Sequence, residues 1–220
     1  MRASRLVAAC GTAACIAAAH AATWDFEVRL DGKPIGTHRF VVEELAGAAS
    51  APDAPIASLA SLARTVQSTA RFDVKLLGLT VFRYRHEAKE RWRGDCLQSV
   101  QSRTDDDGKP VQVDKTFADP ECPMSYAYWN PALVRQQRLL NPQTGEFDEV
   151  RVERLPDGVI PVNGRDVDAV RWRLTATPPT VAGKAAERQQ ITLWRDRADG
   201  RWIGLDAVVK GGRVLSYRLP

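Results

Sequence analysis

Along most of this chain apolar and polar residues alternate with a period of two, the signature of half-buried strands. Trp24, Phe26, Val28 and Leu30 alternate with Asp25, Glu27, Arg29 and Asp31, and DGKPIG then turns the chain. The return segment sets Gly36, His38, Phe40 and Val42 on one side and Thr37, Arg39 and Glu43 on the other. Phe72, Val74 and Leu76 alternate with Arg71, Asp73 and Lys75, and LLGL leads into a long extended run from Thr80 to Arg93. Leu97–Thr104 faces Val111–Phe117 across DDDGKP. Extended segments resume at Val150–Leu155, Val170–Leu174, Ile191–Arg195, Trp202–Val209 and Val214–Leu219, separated by NGR, RADGR and KGGR. Many strands joined by tight glycine-bearing turns predict a mainly β protein built on a single curved antiparallel sheet.

Two stretches break the alternation. The Ala/Ser/Pro-rich segment over 44–64 has no aromatic anchor and reads as a mobile insertion. In MSYAYWNPALVRQQRLLNPQTGEF, Asn130 followed by Pro131 is an N-cap with proline at the first helical position. Leu133, Val134, Leu139 and Leu140 then give a stripe that Asn141-Pro142 ends, so one helical segment is expected to pack on the sheet. No linker divides the rest, and residues 23–220 read as one domain.

The N-terminus carries a different signal. Arg2 and Arg5 precede a short apolar run from Leu6 to Ala19, and Ala19-His20-Ala21 offers a small-x-small cleavage site. Residues 1–22 are therefore expected to be a signal peptide, and the protein to act in the periplasm or outside the cell. A lipoprotein box at Val7–Cys10 fits poorly, because Arg5 leaves almost no apolar run before Cys10. No later stretch reaches the ~18 apolar residues of a membrane span. Removing Arg2 and Arg5 lowers the formal charge from +4 to about +2, too little and too interleaved with acid for nucleic-acid binding. Cys96 and Cys122 remain after the signal, and an even count in an oxidising compartment predicts a disulfide between them.

Candidate chemistry centres on FRYRHEAKERW. Arg83, Arg85, Glu87, Lys89 and Arg91 form the solvated side of this run, while Phe82, Tyr84, His86, Ala88, Glu90 and Trp92 form the apolar side. His86 and Glu90 thus point toward the core side, roughly 13 Å apart along the strand, each needing a partner from elsewhere. An arginine from another strand is the ready partner for Glu90, and a backbone carbonyl for His86. HEAKE is not a zinc-protease motif, since the fifth residue is Glu90 and the setting is a strand. DDDG lacks the first acid of a calcium loop, where Arg103 stands. No nucleotide-binding glycine loop, nucleophile elbow, metal-ligand spacing or cofactor motif is present.

Several of these segments carry a resemblance. LDGKPIGTHRF, YRHEAKERWRGDCL, YAYWNP, LLNPQTGE and LWRDRADGRWIGLDAVVKGGRVLSYRL resemble exported proteobacterial proteins whose function is unassigned. More distantly, the strand order and closing meander are similar to the periplasmic lipoprotein carriers. That resemblance implies a half-barrel with an apolar concavity plugged by helical structure. The resulting expectation is binding of an apolar or amphipathic, lipid-like ligand in the concave face, with Tyr84, His86, Glu90, Trp92 and Trp129 as candidate lining residues. The alternatives are an envelope enzyme using His86 or Glu90 as general acid or base, and an envelope assembly factor.

Overall fold

The computed structural model describes residues 21–45, 63–180 and 187–220. The signal-like segment before Ala21 and the bulk of the Ala/Ser/Pro-rich segment lie outside the described residues. Twelve strands form one antiparallel sheet. They are β1 (Ala21–Leu30), β2 (Lys33–Leu45), β3 (Ala63–Leu76), β4 (Leu79–Arg93), β5 (Cys96–Asp106), β6 (Pro110–Thr116), β7 (Arg138–Leu140), β8 (Phe147–Val162), β9 (Arg165–Thr177), β10 (Gln189–Asp196), β11 (Trp202–Val209) and β12 (Arg213–Arg218). The order across the sheet is β6-β5-β4-β3-β2-β1-β12-β11-β10-β9-β8-β7. Two runs of hairpins thus meet in the middle, where β1 pairs with β12 and joins the two ends of the chain.

The sheet is open by hydrogen bonding, with the short strands β6 and β7 as its edges, yet it rolls nearly into a barrel. The turn before β8 lies on the opposite edge. A Cβ on Gly145 would stand 3.2 Å from the Val113 side chain of β6, and the Ser102 hydroxyl of β5 donates to the Pro142 carbonyl. Phe117 and Phe147 meet edge-on, with ring centroids 6.2 Å apart. The segment between β6 and β8 therefore crosses the inner face as a plug. Met124, Ala127, Ala132 and Leu133 of the plug pack against Trp24, Phe26, Phe40, Trp92 and Trp202 from the strands. Each fully enclosed indole finds an acceptor. Trp24 donates to the Trp202 carbonyl and Trp202 to the Gly204 carbonyl, each at 2.9 Å.

The expected helix shrinks to a single 3-10 turn, Pro131–Arg135, and the described residues contain no α-helix. Its start was legible: Asn130 accepts from the Ala132 amide at 2.8 Å and Pro131 opens the turn. Its length was not, because Leu139 and Leu140 join the sheet as β7, paired with Asp148 and Phe147. Leucines spaced for a helix were buried by strand pairing instead. The strand expected at Val150–Leu155 also runs on to Val162, past an irregularity between Leu155 and Gly158. Beyond it the β8–β9 tip bends so that Ile160 packs on Ile203 and Gly204 from the outer side, forming a small second core. In the other half of the sheet, β2 and β3 stay paired up to Leu45↔Ala63, so residues 44, 45, 63 and 64 belong to strands rather than to the insertion.

Cys96 at the start of β5 and Cys122 in the plug form the expected disulfide across 26 residues. It ties the plug to the sheet at the same end as Glu90 and Trp92. Arg195 does so from the other half. It is buried on β10 and donates to the Tyr128 and Asn130 carbonyls at 2.7 and 2.9 Å. Burial lowers its pKa to about 10.

Candidate functional site

Alternation on β4 holds as read from the sequence: His86, Ala88, Glu90 and Trp92 are buried, and Arg83, Glu87, Lys89 and Arg91 are exposed. The five candidate residues nevertheless divide into two separate groups, because the plug covers only one end of the inner face.

Glu90, Trp92 and Trp129 belong to the covered end. The Trp92 indole donates to a Glu90 carboxylate oxygen at 2.9 Å and packs edge-on against Trp129 at 5.4 Å. Ser125 of the plug also hydrogen-bonds Glu90. Burial is the largest influence on this carboxyl and pushes its pKa up, against the two hydrogen bonds that pull it down. The arginine expected as its partner is not there, and among the described residues Glu90 makes no ion pair. A closed pocket of hydrogen bonds replaces the charge partner. Trp129, half-buried, instead lines a cavity of about 340 Å³ with Trp24, Arg64 and Pro131 outside this closed site.

Tyr84 and His86 belong to the uncovered end. Register places His38, Ala70, His86 and Thr104 in one row across β2, β3, β4 and β5. The methyl group of Ala70 leaves room above it, and the two imidazoles approach to 6.4 Å between centroids. His86 Nδ1 lies 2.8 Å from the Thr104 hydroxyl, where a backbone carbonyl was expected. His38 lies 2.9 Å from the Ser68 hydroxyl and 3.3 Å from that of Tyr217. Burial lowers the His86 pKa to about 4. Burial, followed by the neighbouring His86, holds His38 well below the ordinary imidazole value. Both rings are thus neutral at ordinary pH. Neither His86 nor Glu90 has a second ionisable group among its hydrogen-bond partners.

The next row adds an aromatic wall. Phe72 stacks on Tyr84 at 5.1 Å, and Tyr217 of β12 meets Phe72 edge-on at 6.4 Å. Val28, Ile35 and Leu215 complete this cluster, of which Tyr84, Tyr217, Ile35 and Leu215 are only half-buried. The plug contributes Tyr126 and Tyr128, so all four tyrosines of the chain face the interior of the roll. Their pKa values are all raised, first by burial.

Outside this cluster β2 and β3 separate. Their pairing ends at Gly36↔Phe72, where Gly36 lies so close to β3 that a Cβ would fall 1.9 Å from the Arg71 carbonyl oxygen. Only glycine fits there. Beyond that point a cleft of about 610 Å³ opens between the β1–β2 and β3–β4 tips, lined by Leu30, Pro34, Ile35, Val74, Leu76 and Val81, with Lys33, Lys75, Asp73 and Arg213 at its margin. Ile35 belongs both to the cleft and to the aromatic cluster. Sequence reasoning missed this cleft, since it arises where two strands part. Of the two remaining strand tryptophans in the second half of the sheet, Trp172 faces inward, but Trp194 lies on the outer face and donates to Asp206 at 2.7 Å. Among the described residues no group of three or more His, Cys, Asp or Glu could hold a metal ion.

Residues 58–220 match the family described as Domain of unknown function (DUF6134). The chain belongs to this family. The DUF6134 match begins after β1 and β2, although these strands occupy the centre of the sheet and supply His38 and Ile35 to the uncovered end. No curated protein and no solved structure matches the chain.

Proposed function

We propose that the protein is an exported, periplasmic binding protein that holds an apolar or amphipathic, lipid-like ligand at the uncovered end of the rolled sheet. The observation that carries this reading is the cleft between the β1–β2 and β3–β4 tips, whose apolar wall is continuous through Ile35 with the half-buried aromatic cluster. Ligand sites combine an apolar concavity with a few polar groups, and this end of the roll has that composition. Phe72, Tyr84 and Tyr217 serve as walls. His86, uncharged and tied by one nitrogen to Thr104, offers its other nitrogen as a polar handle. The signal-like N-terminus and the disulfide support export, and the rolled, plugged sheet supports the architectural likeness to lipoprotein carriers in proteobacterial envelopes. Glu90, Trp92 and Trp129 take no part in this version of the site, since they lie at the plugged end.

Two measurements test the reading. Mass spectrometry of protein purified from its native compartment should find a bound amphiphile. Stripped protein should then bind a fluorescent fatty acid, and Ile35→Asn or Val74→Asn should weaken binding about ten-fold with the fold intact. Stripped protein that takes up no fatty acid, or variants that bind it as tightly as the parent, would sink the proposal.

A further inference from the structure

The tip of the β3–β4 hairpin breaks a rule that the rest of the molecule keeps. Four hairpins close with a two-residue loop whose first residue has positive φ and whose second is glycine: Asp31-Gly32, Leu77-Gly78, Asp107-Gly108 and Asn163-Gly164. Both central residues of such a turn require positive φ, which Asp and Asn tolerate and leucine does not favour. Three loops follow the chemistry; the fourth places Leu77 at φ 51. Its side chain is 96% exposed, and Leu76, Leu79 and Val81 beside it are 62%, 72% and 52% exposed. Neither turn geometry nor burial accounts for a leucine there. Strain of this kind points to function.

The hairpin also projects. Beyond Gly36↔Phe72 on one side and the Asp107–Arg83 backbone bond on the other, residues 74–82 pair only with each other among the described residues. Its charged surroundings are cationic. Lys33 and Lys75 make no ion pair among the described residues. The nearby Asp73 is occupied by Arg85 at 2.9 Å and Arg83 at 3.4 Å, and Asp31 by Arg213. The acidic Asp105–Asp107 turn is set back to the level of Arg83, roughly 13 Å along the strand from Leu79.

We infer that this tip is a membrane-contact element: Leu76, Leu77 and Leu79 enter the acyl boundary of a bilayer while Lys33 and Lys75 meet anionic headgroups. A projecting apolar point fits the soft interior of a lipid leaflet, and burying leucines together with headgroup attraction is what drives interfacial binding. The inference stands on the hairpin alone and does not require the neighbouring cleft to hold a ligand.

The test is co-sedimentation of the purified protein with vesicles of phosphatidylethanolamine and phosphatidylglycerol, and with vesicles of phosphatidylcholine alone. Leu77→Asn restores the residue type the turn favours. It should weaken binding to the anionic vesicles about ten-fold while leaving the melting temperature unchanged or higher. Lys75→Glu should weaken binding to the anionic vesicles and leave the weaker binding to phosphatidylcholine unchanged. The inference is overturned if the parent protein binds neither vesicle, or if Leu77→Asn binds as well as the parent. It is also overturned if that variant melts lower, which would make the leucine structural. A parent dimer that Leu77→Asn dissociates would assign the tip to a second copy of the chain instead. Fatty-acid uptake that survives Leu77→Asn separates this result from the cleft proposal.

Discussion

His86 and Glu90 share one face of one strand, yet burial drives them in opposite directions with pH. A base with a depressed pKa binds fewer protons folded than unfolded. The stability that neutral His86 carries is therefore complete above the unfolded value of about 6.5 and is lost as pH falls toward about 4. His38 acts on the same acid limb. For Glu90, with its pKa raised, the contribution is complete below the unfolded value of about 4.3 and is lost as pH rises through the folded value. Glu90→Gln should accordingly raise the melting temperature more at about pH 8 than at about pH 5. His86→Gln should flatten the acid-side loss of stability, whatever its effect at neutral pH. Thermal melts across this range check both, and shifts of equal size at every pH would contradict the assignment. The direction in which these side chains point was legible in the alternation of β4. Apart from Trp92, two residues along the same face from Glu90, their partners were not, because Thr104 arrives by register with β5 and Ser125 by way of the plug, and neither is encoded near position 86 or 90.

At the scale of elements, turns and strands were the readable parts, since glycine-bearing hairpin loops and two-residue periodicity are local properties. The helix was misjudged because helical spacing of Leu133, Val134, Leu139 and Leu140 competes with pairing to β8, and the pairing wins for the last two. The extension of β8 was missed for a related reason: Pro156-Asp157-Gly158 reads as a turn, while the strand accommodates it as an irregularity. Before β7 the plug has little regular structure beyond the 3-10 turn and a short bridge from Ser125 to Leu140, so its position depends on a few backbone bonds such as Leu97 to Pro123, on side-chain packing, on Arg195 and on the disulfide. Cys96→Ser and Cys122→Ser should each lower stability by about 3 kcal/mol on the chain-entropy model. The double replacement should cost no more than either alone. Urea denaturation of the three variants measures this, and additive losses would argue against the bond.

The whole molecule depends on two strands that lie outside the family match. β1 and β2 bridge β3 to β12, and Trp24, Phe26 and Phe40 carry part of the main core. A fragment of residues 58–220 would leave the long strand β3 and the strand β12 with unpaired edges, which invite association. It should be recovered as aggregate, whereas the chain from residue 21 onward should stay monodisperse by size-exclusion chromatography; a soluble, cooperatively melting fragment would show the bridge to be dispensable. By itself the sequence determined the mainly β antiparallel character, the inward face of strands such as β1, β2 and β4, most of the turns and the cysteine pair, because periodicity, turn chemistry and cysteine count are carried by residues close together or few in number. Only the tertiary structure decided that the sheet rolls until its edges meet, that the plug divides Glu90 from His86, and that a cleft and a projecting leucine tip stand side by side. Those features come from pairings such as Glu27↔Arg218 between opposite ends of the chain, and from where strands part, neither of which leaves a local pattern.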